Sequence, residues 1–234
     1  MWQSPDPILE KYLPTFRKGG ELVPGIAGGV LEPTNLALYT YARQNPLRLV
    51  DPDGRWPTVI HEQIIDRAFP GLTNAQRQIL KDRSAWVDRP AGQTKAHNHE
   101  HAMKSPGEDP VSARRAIDEN IKNHEEAATK KQGGTPDSVS KIKKNALKEF
   151  GEALHPVSDR TSPAHTDAQN NPRDWSGIPT SESEYQAAKQ HEREESTISP
   201  AQMDTAAGAA RESFKRTFGE KALKEAATTP PGQE

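Results

Sequence analysis

From Ile60 onward, apolar positions fall three and four residues apart. IHEQIIDRAF and NAQRQILKDRSAW both carry this rhythm, with Thr73-Asn74 as an N-cap for the second, so helices are predicted in both. A long polar helix is predicted from about Pro110 to Lys131, because DPVSARRAIDENI opens with Asp109 as cap and Pro110 at the first helical position. The loop KKQGGTPDS ends it. Another helix is expected from about Ser138 to Leu154, where Ile142, Ala146, Leu147, Phe150 and Leu154 mark one core-facing side. HPVSDRTSPAH and AQNNPRDWSGIPT read as loops, and SESEYQAAKQHEREE as a helix. PAQMDTAAGAARESFKRTFGEKALKEA reads as a single terminal amphipathic helix, followed by ATTPPGQE as a disordered tail. Residues 1–55 lack this rhythm. Their short apolar runs, GGVLEP and NLALYTYA, are separated by Pro and Gly and suit strands and turns.

A chain of 234 residues has room for one globular domain and an appendage. The composition is polar, with 32% hydrophobic and 27% charged residues and a mean hydropathy of -0.91, so the core must be economical. There is no cysteine, which excludes disulfides, thiolate metal sites and cysteine nucleophiles. Any metal must therefore sit on His and carboxylate. No apolar run has the length of a spanning helix, and the start MWQSPDPILE lacks a basic region followed by an apolar one, so neither a membrane anchor nor a classical export signal is expected. The formal net charge of -2 advertises no nucleic-acid field and excludes none.

Asn35 to Trp56, NLALYTYARQNPLRLVDPDGRW, combines a tyrosine-rich strand, an NP turn and a closing DPxG motif. Alone, Asp51-Pro52-Asp53-Gly54 is ordinary turn chemistry. With the upstream segment it resembles the end of the Rhs repeat-associated core, a large β-shell that encloses a variable C-terminal toxin. That resemblance implies self-cleavage dependent on Asp51 and Asp53, on one side or the other of Trp56. The chain then divides into 1–55, the end of the Rhs core; 56–226, a helical toxin domain; and 227–234, the tail. The overall expectation is a mainly α fold preceded by a short β or irregular remnant.

All eight histidines follow Arg55. His155, Asp159 and His165 form HxxxDxxxxxH; residues four apart share a helical face, so an imidazole and a carboxylate there are placed to grip one cation. Trp56 to His61 gives WxxxxH, Ser84 to Asp88 reads SAWVD, and His191 to Glu195 gives HxxxE. HNHEHAM offers His97, His99 and His101, of which His101, before an apolar pair, is preferred and His99 is second. Each has an ordinary reading: His61 as a surface histidine, HNHEH as a polar loop, Asp88 as a helix-end carboxylate, and the glutamates near His191 as a solvated face. His124 is assigned to such a face.

In this order the motifs resemble the zinc-dependent phospholipase C and single-strand-specific nuclease superfamily, all-helical enzymes that hold three zinc ions. The resemblance spans about residues 56–195 and leaves the terminal helix unexplained. It implies one zinc on Asp88, His101, His155 and Asp159; a second on His165, His191 and Glu195; and a third on His61, Asp159 and the amine and carbonyl of Trp56. Cleavage before Trp56 would free that amine and complete the site. Pro156, directly after His155, departs from the family pattern and is expected to kink that turn.

The function expected from these residues is zinc-dependent phosphodiester hydrolysis by a toxin delivered into a target cell. Water held near Asp88 attacks phosphorus in line, and Asp159 bridges and orients the metals. HxxxE favours a phospholipid headgroup ester, with peripheral membrane contact; WxxxxH and SAWVD favour DNA or RNA. The non-enzymatic alternative is a metal-binding helical interaction module. The Rhs shell and a cognate immunity protein are the partners implied.

Overall fold

The computed structural model describes residues 15–16, 22–23, 58–89, 92, 94–177, 182–184, 186, 190 and 198–229. The chain divides into two compact units, 1–50 and 51–234. In the first, β1 (Thr15–Phe16) and β2 (Leu22–Val23) pair antiparallel, with Thr15 opposite Val23 and Phe16 opposite Leu22. Among the described residues of the second unit the regular elements are helices, α1 (Thr58–Ala68), α2 (Asn74–Val87), α3 (Pro110–Gln132), α4 (Lys144–Asp159), α5 (Pro200–Phe218) and α6 (Glu220–Ala226), joined by turns and two isolated bridges, Lys104 to Asp174 and Thr166 to Pro172. Two 3-10 segments, Lys95–His101 and Val139–Lys141, precede α3 and α4. The described protein is mainly α.

The helix starts follow local chemistry. Thr73 and Gln76 form a reciprocal capping box at α2, Ser199 and Gln202 form another at α5, and the Asp109 carboxylate accepts the Ser112 amide ahead of Pro110. These ends fall where the sequence predicts them.

Three boundaries differ. The helix expected from Ser138 begins at Lys144, because the Gln132 side chain captures the backbone on both sides of Ile142. Its Nε2 donates to the Lys141 carbonyl at 3.1 Å, and its Oε1 accepts from the Lys143 amide at 2.9 Å. Ile142 is held extended there and is still buried. At the other end α4 runs through Pro156 to Asp159, where a loop was expected. Proline lacks one amide and crowds one carbonyl, a cost of about 3 kcal/mol in a free helix. Here every residue from Leu154 to Asp159 is buried, and packing outweighs the local penalty. The terminal helix is two helices, parted at Gly219, whose φ of 89° suits glycine and where a Cβ would lie 2.7 Å from Thr135 Cγ2. The helix expected in SESEYQAAKQHEREE lies largely outside the described residues.

α4 is the central helix, packed on α2, α3 and α5. Phe69, Phe150, Phe214 and Phe218 form the heart of the core, with ring centroids 4.8 Å apart for Phe214 and Phe218 and 4.9 Å for Phe69 and Phe214. These two pairs are tilted, and Phe150 meets Phe69, Phe214 and Phe218 edge-on, an arrangement aromatic pairs favour. α5 is thus a structural wall behind α4. It is pinned to α3 by Glu125, whose carboxylate accepts from the Ser213 hydroxyl at 2.6 Å and from Arg216 Nε and Nη2 at 3.0 and 2.6 Å. With that wall behind it, α4 turns its last, fully buried turn toward α1 and α2.

Candidate metal centre

His155 and Asp159 stand one turn apart on α4, and His155 Nε2 lies 3.1 Å from Asp159 Oδ2. α2 reaches this point because Gly151 has no side chain. A Cβ there would lie 2.7 Å from Arg83 Cβ and 3.1 Å from the Leu80 carbonyl oxygen, so the two helices cross in near-backbone contact. An Arg83–Glu152 ion pair ties the same crossing. The close approach delivers Asp88, the C-cap of α2, with Oδ1 3.4 Å from His155 Nε2.

Three further imidazoles arrive from other elements. His61 of α1 stacks on His155 with centroids 4.4 Å apart, and its Nε2 lies 3.2 Å from Asp159 Oδ1. His101, last in its 3-10 segment, places Nδ1 3.0 Å from His155 Nε2 and 3.9 Å from both Asp88 Oδ1 and Asp159 Oδ2. After α4 the chain folds back on itself: the Ser162 amide donates to the Asp159 carbonyl at 2.8 Å and the His165 amide to the Ser162 carbonyl at 3.1 Å. This return sets His165 Nδ1 3.7 Å from Asp159 Oδ2. Two groups result, His61 with Asp88 and His155, and His101 with His155 and Asp159. Within each, the ligand atoms lie within 4.8 Å of one another, and each group could hold a metal ion.

The outer nitrogens of these rings are fixed. A carbonyl only accepts, so His101 Nε2–H donates to the Gly92 carbonyl at 3.2 Å, which turns Nδ1 toward His155. His165 Nδ1–H likewise donates to the His101 carbonyl at 2.7 Å, which fixes this ring beside Asp159. His155 Nδ1 faces the buried Ser84 hydroxyl at 3.4 Å.

Asp159 tests the fit of a cation. Both its oxygens are buried and neither completes a well-aligned hydrogen bond among the described residues, although four imidazoles surround it. Buried carboxylates with no such partner are rare, and a positive charge among these donors satisfies one. Burial by itself raises its pKa; His155, His165 and His61 outweigh that and hold the carboxyl well below the usual carboxylate range. The set of imidazole and carboxylate donors suits a borderline divalent cation. Access is one-sided: the Asp88 side chain is 15% exposed, and those of His61, His101, His155, Asp159 and His165 are 0–3%.

Of the residues singled out in the sequence, His61, Asp88, His101, His155, Asp159 and His165 come together. His97 and His99 do not: His97 pairs with Glu100 at 2.6 Å, and His99 is half-buried, its pKa lowered mainly by burial. His124 stands apart, with Nδ1 3.5 Å from Glu149 Oε2. Trp56, His191, Glu195, Asp51 and Asp53 lie outside the described residues. Sequence reasoning passed over Ser84, Gly92 and Gly151 as parts of this centre. Ser84 had a signal, because it precedes Asp88 by four residues on one helical face. The other two had none.

Comparison with protein-family models, curated proteins and solved structures finds no match for this chain.

Proposed function

We propose that the helical unit is a zinc-dependent phosphodiester hydrolase, the toxic part of an Rhs-type effector. The supporting observation is the gathering of four imidazoles and two carboxylates from α1, α2, α4 and two connecting segments around a buried Asp159. Zinc suits this cysteine-free donor set and supplies Lewis acidity toward phosphoryl oxygens and water at neutral pH. His155 and Asp159 hold the centre, with His61, His101 and His165 closing it. Asp88, at the solvent-facing edge, orients the attacking water and takes its proton at the carboxylate. The Rhs assignment rests on the Asn35–Trp56 sequence, which also brings the shell and an immunity protein as expected partners.

Phospholipid headgroup esters are the first substrate class to test, on the HxxxE motif of His191 and Glu195. One observation favours single-stranded nucleic acid as a second reading. Trp86 is 49% exposed two residues before Asp88, with the guanidinium carbons of Arg83 and Arg89 5.3 and 4.8 Å from its ring. Exposed indole with arginine is a combination that binds unpaired bases and phosphate.

The test is purified protein with zinc, offered phosphatidylethanolamine or phosphatidylglycerol vesicles in parallel with single-stranded DNA and RNA, with and without chelator. Chelator-sensitive cleavage of one class is expected, and it is to be lost in His155→Ala and Asp159→Ala. Stoichiometric zinc with no hydrolysis would favour the non-enzymatic binding module instead.

A further inference from the structure

Two segments of the metal centre lie far apart in the chain, and residues 173–175 tie them together. His101 ends the 3-10 segment Lys95–His101, and His165 follows the return after α4. The Arg173 amide donates to the His165 carbonyl at 2.7 Å, the Lys104 amide to the Arg173 carbonyl at 3.0 Å, and the Trp175 amide to the Lys104 carbonyl at 2.7 Å. Met103 and Trp175, both buried, pack together at this tie.

Asn98 fastens the 3-10 segment to it. Ala102, directly after His101, has a φ of 54°, a left-handed conformation that a residue with a Cβ adopts at a cost. The Asn98 carbonyl accepts both the Ala102 and the Met103 amides, the latter at 3.0 Å, and so closes that turn. The carboxamide of the same residue anchors it. Its Nδ2 donates to the Trp175 carbonyl at 2.9 Å and to Ser105 Oγ at 3.3 Å, and Asn98 is only 3% exposed. A carbonyl only accepts, so this buried position requires a donor. The turn sets the direction of His101, whose Nδ1 lies 3.0 Å from His155 Nε2 and whose carbonyl accepts from His165 Nδ1 at 2.7 Å. One anchored turn thus places two imidazoles, one through its own side chain and one through its carbonyl.

We propose that Asn98 is a positioning residue of the metal centre: its carboxamide, fastened to Trp175, holds the turn at Ala102 and thereby the placement of His101 and His165. It acts through the turn and the 173–175 segment and not as a ligand. The inference rests on the metal reading of the site and not on hydrolysis.

The experiment uses the full chain, with zinc and cobalt(II) as probes. Asn98→Asp keeps the side-chain size and sets a carboxylate against the Trp175 carbonyl; Asn98→Ala removes the group. Calorimetry, at a temperature where the variants are folded, is expected to show zinc binding weakened by about 10-fold or more in both, as loss of an outer-shell partner does. The visible absorption of bound cobalt, which reports the number and arrangement of its ligands, is expected to change with it. Phe214→Ala, a larger truncation among the core phenylalanines, is the control and is expected to keep wild-type affinity and spectrum. Wild-type affinity or an unchanged cobalt spectrum in a folded Asn98 variant overturns the proposal. So does a Phe214→Ala protein that loses as much affinity, since stability alone then explains the loss. Failure of both Asn98 variants to fold assigns the residue to the fold itself and also overturns it. A wild-type chain that takes up neither metal overturns this and the metal reading together. The expected loss of zinc affinity in a protein that cleaves no phosphodiester supports the proposal and removes the hydrolase reading alone.

Discussion

Asp159 Oδ1 lies 3.2 Å from His61 Nε2, and this contact closes the first helix of the domain onto the last turn of α4. His61 otherwise sits on an amphipathic helix whose buried neighbours are Ile60, Ile64 and Ile65. The core face and the ligand face of α1 are therefore one continuous stripe, and the site is an extension of the hydrophobic core. Metal binding and folding stability should consequently be coupled.

Adding zinc to the metal-free protein should raise its melting temperature, with a gain of about 2.7 kcal/mol at a free concentration one hundred times the dissociation constant. His61→Ala should remove most of this gain, and His97→Ala, outside the cluster, should leave it intact. Thermal melts with and without zinc check both. Equal zinc-induced shifts in the two variants would place the metal elsewhere.

Gly151→Ala should destabilise the domain by about 1–3 kcal/mol, because the new methyl meets Arg83 Cβ and the Leu80 carbonyl and must push α2 from α4. The same displacement draws Asp88 away from His155, so zinc affinity should fall along with stability. Urea unfolding and calorimetry measure the two effects.

Phe214→Ala should cost about 3–5 kcal/mol as a large core truncation. Phe214 packs on Phe69, Phe150 and Phe218, so at temperatures where the variant stays folded its zinc stoichiometry should match the wild type. A Phe214→Ala protein that is folded and unable to bind zinc would contradict a purely structural role for α5.

Asp159→Asn gives a pH-dependent signature. The folded-state pKa of Asp159 is lowered, so its charge contributes stability that is fully present above the unfolded carboxylate value of about 3.9. That contribution is lost as pH falls through the lower folded-state value. In metal-free protein the variant should be less stable than wild type at neutral pH. The gap should narrow only below about pH 4, where wild-type Asp159 becomes protonated in the unfolded chain and then in the folded one. Denaturant midpoints measured from pH 7 to pH 2 test this; a gap that narrows between pH 7 and 5 would assign the dependence to other groups.

The sequence by itself determined what acts within one helical turn. Caps at Thr73, Asp109 and Ser199 set where helices begin, the spacing in α4 set its core face, and the four-residue step from His155 to Asp159 set two donors on one side. These are contacts between near neighbours in the chain, and local chemistry decides them. Tertiary structure decided the rest. Gln132 unwound the start of α4, burial carried that helix through Pro156, and the side-chain-free crossing at Gly151 brought Asp88 to His155. His101 was chosen over His97 and His99 because the end of its 3-10 segment packs it between the Gly92 carbonyl and His155. Neighbouring histidines have the same chemistry, and only burial and distance across the fold distinguish them.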